Sequence, residues 1–208
     1  ISLWNTAYYT LLHVPGTTII AFAVAGLLNQ KVKGLPVFRT LFYIPSVTSG
    51  VGMALIWIWM LAPNGVVNAF LGWFGIQGPH WLADPNWAMP ALILMSFWGM
   101  GASMIIFLAG LQGIPKSLYE AAQIDGGNTW QQFRHVTIPQ LRNTIIFVII
   151  STTILAFRLF TQVDVMTKGG PQDSTVTVVF HAVDQGFRQQ KIGYGSAITV
   201  LFFILVVT

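Results

Sequence analysis

The chain has 208 residues, of which 54% are hydrophobic and only 8% are Asp, Glu, Lys or Arg, with a formal net charge of +4. Soluble domains carry roughly 25% charged residues, so this composition argues against a soluble protein. The absence of cysteine excludes disulfides and thiol chemistry. The ten basic residues are scattered, which argues against the basic stripe of a nucleic-acid-binding protein.

Charged residues are absent from three long stretches of the sequence. Residues 1–30, 40–83 and 85–115 contain no Asp, Glu, Lys or Arg. A helix that crosses about 30 Å of hydrocarbon needs roughly 20 apolar residues, and each stretch is long enough for one. We therefore predict an integral membrane protein that lies in a lipid bilayer.

Apolar segments follow one another along the chain at residues 7–28, 40–61, 87–111, 143–163 and 194–208. The first four have the length of a membrane span, and the fifth is cut short where the sequence ends. We interpret residues 1–208 as one transmembrane domain, an all-α polytopic helical bundle. Pro15 and Pro45 lie inside two segments and are expected to kink their helices.

Small residues are concentrated in the second and third segments: Ser49, Gly50, Gly52, Ala54, Gly99, Gly101, Ala102 and Ser103. Small side chains let membrane helices approach closely. They equally leave room for a cavity near the middle of the membrane, and both interpretations stay open.

Tryptophans mark the boundary after the second segment, at Trp57, Trp59, Trp73, Trp81 and Trp87. Such residues favour the membrane–water interface. Apolar residues between 66 and 74 follow helical spacing, which predicts an amphipathic helix. That helix either lies in the outer interface or packs as a re-entrant piece against the spans.

Basic loop residues predict the orientation. The loop after the first segment and the polar loop at 112–142 together contain six: Lys31, Lys33, Arg39, Lys116, Arg134 and Arg142. Loops on the opposite side contain three: Lys168, Arg188 and Lys191. Because cytoplasmic loops carry the excess of Lys and Arg, we place the first two loops in the cytoplasm.

The polar stretch EAAQIDGGNTWQQFRHVTIP, from Glu120 to Pro139, separates two long apolar runs. Ser117 and Glu120 have the spacing of a capping box, which predicts the start of a short helix. The glycines at 126–127 predict its end, because glycine accepts the positive φ that a helix end often needs. Asn128, followed by Gln131, predicts a second short helix that Pro139 limits.

Glu120-Ala121-Ala122, with Gly126 in register and Ile-Pro at 138–139, resembles the EAA loop of permease subunits of binding-protein-dependent ABC importers. Asp125 and Phe133 also fit that pattern. The stretches LAGLQGIPKSLYEAAQIDGG and TKGGP resemble the maltose-type carbohydrate branch, and the similarity runs from Asn5 to the last residue. At Gly127 the family more often has Ala, a departure that should loosen the turn slightly.

The resemblance implies the type I ABC importer permease fold, with five segments visible of a probable six and a first helix missing upstream. It implies a multi-pass subunit of a bacterial or archaeal plasma membrane, the cell inner membrane, that translocates a sugar or a related polyol or oligosaccharide. The implied partners are a second homologous permease subunit, a dimer of cytoplasmic ATPase subunits and an extracytoplasmic solute-binding protein. ATP and Mg would be bound by the ATPase subunits, and no cofactor by this chain.

The resemblance also implies that the loop at 112–142 contains a coupling helix and that one set of residues in this loop contacts the ATPase subunits. These are Ser117, Glu120, Ala121, Ala122, Asp125, Gly126, Phe133 and Pro139.

Arg158 is the only charged residue inside an apolar segment. Counted from Asn143 at 1.5 Å per residue, it lies at a depth of roughly 22 Å, in the outer half of the bilayer. Arginine near a helix centre costs roughly 2.5 kcal/mol or more unless it faces water or protein. It either snorkels to the outer interface or lines a polar cavity, with Gln162 on the same helix face.

In the maltose-type family, polar residues at the positions of Arg158 and Leu159 contact the transported sugar. Arg158 replaces what is often an uncharged amide, and Leu159 departs from the pattern. The predicted substrate path consists of Ser49, Gly50, Trp98, Gly99, Ser103, Arg158, Leu159 and Gln162.

Enzymatic and metal-binding patterns are missing: the four histidines are isolated, and there is no phosphate-binding P-loop. The alternative function is a self-sufficient secondary transporter or channel. Carriers of that kind use carboxylates within the membrane. All six acids here lie in loops or at a span edge: Asp84, Glu120, Asp125, Asp164, Asp173 and Asp184.

The predicted orientation can be tested with single cysteines, because the chain has none of its own. In intact cells, a membrane-impermeant thiol reagent should label Asp173→Cys and leave Lys33→Cys and Asn128→Cys unlabelled. Permeabilised cells, in which all three positions should react, provide the control. The reverse pattern in intact cells would invert the topology.

Overall fold

The computed structural model describes residues 1–30 and 34–207 of the chain. Lys31 and Lys33, which contribute to the predicted orientation, lie outside the described residues. The described part consists of helices joined by turns, without a β-strand. The helical class predicted from the sequence is therefore confirmed.

The α-helices of the described part are, in order, α1 Ser2–Leu28, α2 Leu35–Val47, α3 Gly50–Met60, α4 Val66–Trp73, α5 Pro85–Phe97, α6 Gly101–Gln112, α7 Lys116–Ile124, α8 Thr129–Gln132, α9 Ile138–Gln140, α10 Arg142–Phe157, α11 Val178–Val183 and α12 Ile192–Val207. Three π-helical segments accompany them, at Phe133–Thr137, Val163–Thr167 and Asp184–Arg188.

Only α1, with 27 residues, is long and apolar enough among the described helices to cross a membrane by itself. Up to four spans result if three interrupted pairs each act as one span: α2 with α3, α5 with α6, and Thr129–Gln140 with α10. Helix α12 is apolar but shorter. Each of the five predicted segments thus has a helical counterpart, although the second and third are broken.

The breaks fall where the sequence has small and hydroxylated residues. Thr48 and Ser49 separate α2 from α3, and residues 98–100, with Gly99 at their centre, separate α5 from α6. Ser, Thr and Gly have low helix propensity, so these positions interrupt a helix at small cost. Pro15 and Pro45 remain inside α1 and α2.

The helix in the fourth predicted segment ends at Phe157 rather than at Val163, and the bounds of this span stay a prediction. Residues 158–160 are not helical, and the Leu159 carbonyl accepts a hydrogen bond of 2.8 Å from the Thr177 hydroxyl. This bond joins residues far apart in sequence, so hydrophobic periodicity carries no signal of it.

Residue contacts divide the chain into two compact units that alternate along the sequence. The first unit comprises Ile1–His13, Thr48–Ser96 and Ile154–Thr208, and the second comprises Val14–Val47 and Phe97–Thr153. The interpretation of residues 1–208 as a single transmembrane domain stays a prediction.

The core of the second unit is built around Phe107, which is fully buried and meets Phe22 edge to face, with 5.4 Å between ring centroids. Aliphatic and methionine side chains within or next to α1, α6 and α10 surround it: Ala21, Ala25, Leu28, Met100, Met104, Leu108, Leu111, Ile114, Leu141 and Val148. Burial of this kind contributes about 25 cal/mol per Å² of apolar surface in water. In lipid, close packing and dispersion take over that role.

In the first unit, the start of α1 fixes the segment before α11. The Asn5 amide donates hydrogen bonds to the carbonyls of Asp173 and Val176, at 2.9 and 3.0 Å. The buried Thr6 hydroxyl accepts one from the Val178 amide at 3.0 Å. Upstream of this segment, within the TKGGP stretch, the chain makes a turn at Lys168 and Gly169, with Gly169 at φ +85°.

Helix α4 confirms the amphipathic helix predicted from the apolar residues between 66 and 74. Phe70 and Trp73 are 54% and 83% exposed on it. The Asn68 carbonyl oxygen accepts a hydrogen bond of 2.7 Å from the Trp81 indole, while the Asn68 amide donates to the Pro63 carbonyl. These bonds hold the loop beside α4; whether it lies in the interface or re-enters the membrane stays a prediction.

Helices α2 and α6 of the second unit approach each other closely at Gly101, one of the small residues noted in the sequence. A Cβ on Gly101 would lie 2.4 Å from the Phe42 carbonyl oxygen and 2.9 Å from the Tyr43 Cα. Backbone atoms at those distances cannot move aside easily. Gly101 therefore permits α6 to pack directly on α2.

We expect Gly101→Ala to destabilise the chain by about 1–3 kcal/mol, because the added methyl forces α2 and α6 apart. Thermal unfolding in detergent should show a lower midpoint. Gly26→Ala is the matched control, since nothing lies within 4 Å of a Cβ there and alanine favours a helix. Equal midpoints for the two variants would contradict the close approach.

Candidate functional site

The helix of the EAA stretch begins earlier than the capping-box spacing predicted. Its N-cap is Pro115, with φ −60° and ψ 133° and no side-chain cap, and α7 starts at Lys116. The prediction that Ser117 caps this helix is wrong. Proline fixes φ and gives the residue an extended conformation, so the helix starts directly after it.

The end of α7 follows the prediction closely. Gly126 has φ +77°, and its amide donates to the Gln123 carbonyl at 3.0 Å. The Gly127 amide donates to the Ala122 carbonyl at 2.8 Å. This pair of bonds is a Schellman motif, which satisfies carbonyls at a helix end that would otherwise lack partners.

Gly127 has a tighter environment than the sequence suggested. A Cβ there would lie 2.7 Å from the Ala122 carbonyl oxygen. An alanine at this position would thus require the turn to shift, so the glycine allows a closer turn rather than a looser one.

The second short helix starts as predicted, at a complete capping box. The Gln131 amide donates to the Asn128 side chain at 2.9 Å, and the Asn128 amide donates to the Gln131 side chain at 2.8 Å. Pro139 does not end this helix: it lies inside α9, after the π-helical segment, and the break follows at Leu141. A π-helical turn shifts the hydrogen-bond register, which lets a helix continue through a proline without a clash.

Two contacts fix this loop to the rest of the second unit. Tyr119 packs against the core, and its hydroxyl is hydrogen-bonded within the loop to the Thr137 hydroxyl at 2.9 Å. The Phe133 ring lies 5.9 Å from Phe22 and 5.4 Å from Trp130, between centroids. Sequence analysis included Phe133 but missed Tyr119.

The opposite side of the loop is exposed. Ser117, Glu120, Ala121, Asp125, Gly126 and Pro139 are exposed, whereas Ala122 and Phe133 are half-buried. Two apolar side chains are also strongly exposed, Ile124 at 87% and Trp130 at 65%. The Glu120 carboxylate makes no hydrogen bond or ion pair with the residues that the structure describes. A rigid surface with a free carboxylate and apolar side chains is suited to docking on another protein.

The predicted substrate path falls partly in the first unit, at the break after α10. Arg158 is exposed in this break, and Leu159 is buried. Gln162 is half-buried and directly precedes the π-helical segment, without a capping hydrogen bond from its side chain. The prediction that Arg158 and Gln162 share one helix face is wrong, because the helix is interrupted between them.

The start of α3 lies beside the same break. Ser49 is its N-cap, and a Cβ on Gly50 would lie 3.6 Å from the methyl group of Thr161. Trp98, Gly99 and Ser103 belong to the second unit, at the break before α6 and in its first turn. The structure therefore groups part of the predicted path around residues 158–162, and the path as a whole stays a prediction.

Sequence analysis missed an ion cluster in the first unit. Arg188 forms an ion pair and hydrogen bond with Asp164 and a second ion pair of 3.7 Å with Asp184, and it lies 5.5 Å from the Phe180 ring centroid. The Asp164 carboxylate raises the pKa of the Arg188 guanidinium above its ordinary value. The spacing of Asp184 and Arg188 on one helical face was the available signal.

A polar cleft of about 490 Å³ adjoins that cluster, with Lys168, Asp173 and His181 in its wall. No group of three or more His, Asp or Glu side chains that could hold a metal ion occurs among residues 1–30 and 34–207.

Comparison with known proteins decides the family. Residues 17–208 match the model of the family described as "Binding-protein-dependent transport system inner membrane component". The chain belongs to this family. The resemblance seen in the EAA loop is thereby confirmed, and membership gives the chain the role of a membrane-embedded permease of a transport system that depends on a binding protein.

Relatives in the family include the probable ABC transporter permease protein YesP of Bacillus subtilis, 40% identical over 99% of this chain and 68% of that protein. The lactose transport system permease protein LacF of Rhizobium radiobacter is 35% identical over 99% of this chain and 71% of that protein. A crystal structure of a bacterial ABC transporter that imports the acidic polysaccharide alginate matches with a TM-score of 0.88 and 22% identity, over 99% of this chain and 74% of that one. The last match confirms the fold.

We expect Gly126→Val to disrupt the turn after α7, because a β-branched side chain is strongly disfavoured at φ +77°. Amide hydrogen exchange at residues 123–132 should become at least severalfold faster. Gly126→Asn is the control, since asparagine tolerates a left-handed conformation and nothing lies within 4 Å of a Cβ there. Unchanged exchange in the valine variant would contradict the role of this φ angle.

Proposed function

We propose that the chain is the membrane-spanning permease subunit of an ATP-driven importer that carries a sugar or a related polyol or oligosaccharide. The observation that carries the proposal is the EAA loop: it is exposed on one side and fixed to the core of the second unit on the other. Such a loop can receive a force at its surface and pass it to membrane helices.

The proposed partners follow from two features: the sequence contains no ATP-binding loop, and the EAA loop is exposed. Without an ATP-binding loop in this chain, the energy has to come from cytoplasmic ATPase subunits that bind ATP and Mg. A dimer of these subunits would take one EAA loop from this chain and one from a second homologous permease subunit. A binding protein outside the cytoplasm would deliver the solute, in the inner membrane of a bacterium or archaeon.

Coupling would work through α7 as a rigid element. Closure of the ATPase dimer on ATP would displace α7 through its exposed side, including Glu120 and Ile124. Tyr119 and Phe133 would transmit that displacement to the core around α1, α6 and α10. Because the Schellman motif and the capping box satisfy the helix ends of the loop internally, it can move without losing its own hydrogen bonds.

A carbohydrate is the proposed solute class, supported by the lactose transport role in the name of the relative LacF and by the resemblance to the maltose-type branch. The candidate path offers hydroxyl, amide and guanidinium groups around residues 158–162. These groups suit hydrogen bonding to the hydroxyls of a sugar.

The alternative of a self-sufficient secondary transporter is less well supported. Ion-coupled carriers use acidic side chains within their spans. Here the acids lie before α5, in or after α7, in two π-helical segments and in the turn at 168–173. Helices α1, α2, α3, α5, α6, α10 and α12 contain none.

We expect Glu120→Gln to reduce solute-stimulated ATP hydrolysis of the reconstituted transporter about 2- to 10-fold, because a charged contact with the ATPase surface is lost. The measurement needs complexes of equal subunit composition in proteoliposomes. Asp84→Asn is the matched acid-to-amide control, since asparagine can keep the cap that Asp84 forms with the Asn86 amide. Wild-type stimulation in the Glu120 variant would contradict the coupling role.

A further inference from the structure

Arg158 directly follows the end of α10, and its side chain is exposed. On one side of it, Phe157 meets Phe202 of α12 edge to face, at 5.8 Å between centroids. On the other side, Leu159 is buried and its carbonyl accepts the Thr177 hydroxyl. Arg158 itself is exposed, and only its backbone amide is bonded, to the Leu155 carbonyl at 3.1 Å, among the residues that the structure describes.

The break indicates what surrounds this arginine. Helix α10 has 16 residues, so at 1.5 Å per residue the break lies roughly 24 Å from its start, a distance shorter than the thickness of about 30 Å of the hydrocarbon layer. Non-helical backbone at such a depth is tolerated only where it is buried in protein or lines a water-filled cavity. Arg158 is exposed in the isolated chain, and a charged side chain within a span normally faces protein or a water-filled cavity rather than lipid.

The charge of Arg158 is not balanced within the described part of the chain. Arg188, by contrast, is paired with two carboxylates, Asp164 and Asp184. Arg158 forms no ion pair with any described acid. Arginine stays protonated in proteins, so this position carries a permanent positive charge. No described acidic side chain neutralises that charge.

We propose that the transported solute supplies a counter-charge, and that it is an acidic carbohydrate whose anionic oxygens are held by the Arg158 guanidinium. This inference rests on the proposed function, because it assumes that the path carries a carbohydrate. Guanidinium presents parallel N–H donors that fit two oxygens of one carboxylate, phosphate or sulfonate. A neutral sugar would leave the positive charge in the path uncompensated, whereas an acidic one neutralises it on entry.

The test uses the complete transporter, purified with its own binding protein and reconstituted in proteoliposomes. The probes are disaccharides of galacturonate, glucuronate and mannuronate, each paired with its carboxyl-reduced neutral counterpart. Stimulation of ATP hydrolysis is measured against concentration. Within each pair only the carboxylates differ, so a difference in half-maximal concentration reports the preference for negative charge.

Three variants separate binding of the anion from other roles of the arginine. Arg158→Gln removes the charge and keeps hydrogen-bonding capacity. Arg158→Lys keeps the charge and the ability to snorkel but loses the parallel donors. Lys191→Gln removes an exposed cation outside the path and serves as the control for general surface charge.

We expect the wild-type transporter and Lys191→Gln to favour at least one acidic disaccharide over its neutral counterpart by at least tenfold, the range of a charge-assisted hydrogen bond. Arg158→Gln should abolish this preference, and Arg158→Lys should reduce it. Equal response to both members of every pair would overturn the inference, as would a preference that survives in Arg158→Gln. If no acidic or neutral carbohydrate stimulates hydrolysis, the proposed carbohydrate function fails, and the inference that rests on it fails too.

Discussion

The satisfaction of backbone hydrogen bonds in a medium without water is the constraint on which this structure depends. Within hydrocarbon, a carbonyl or amide without a partner costs several kcal/mol, so the chain forms helices, and an interruption needs partners from elsewhere. The break after α10 has such a partner in Thr177, which donates to the Leu159 carbonyl. Interruptions at this depth persist only where the protein or a cavity surrounds them. The breaks in the spans are therefore the places where a polar path is physically allowed.

The EAA loop obeys the same constraint by local means, because its partners come from neighbouring residues. Gly126 and Gly127 close the end of α7, and Asn128 and Gln131 cap the start of α8. The loop needs the remainder of the second unit for position only, through Tyr119 and Phe133. A self-contained fold with few anchors explains how one element can be both exposed and rigid.

Local signals explain most of what the sequence could predict. The apolar segments, the positive φ of Gly126 and the capping box at Asn128 each depend on a few adjacent residues, and each is found. The early start of α7 at Pro115, the end of α10 at Phe157 and the ion cluster of Arg188 depend on conformational competition or on distant partners. Hydrophobic periodicity contains no information about such partners. For the candidate path, the cost of arginine in lipid singled out Arg158 in the sequence, but the helix break beside it and the bond of Leu159 to the distant Thr177 had no local signal.

Aromatic rings in the second unit form a continuous row from the surface to the core. Trp130, which is 65% exposed, stacks on Phe133; Phe133 meets Phe22; and Phe22 meets the fully buried Phe107. Rings packed at the density of a crystal are nearly incompressible. The row therefore gives the loop an unbroken packed connection to the buried core, along which a displacement of the surface can be transmitted inward.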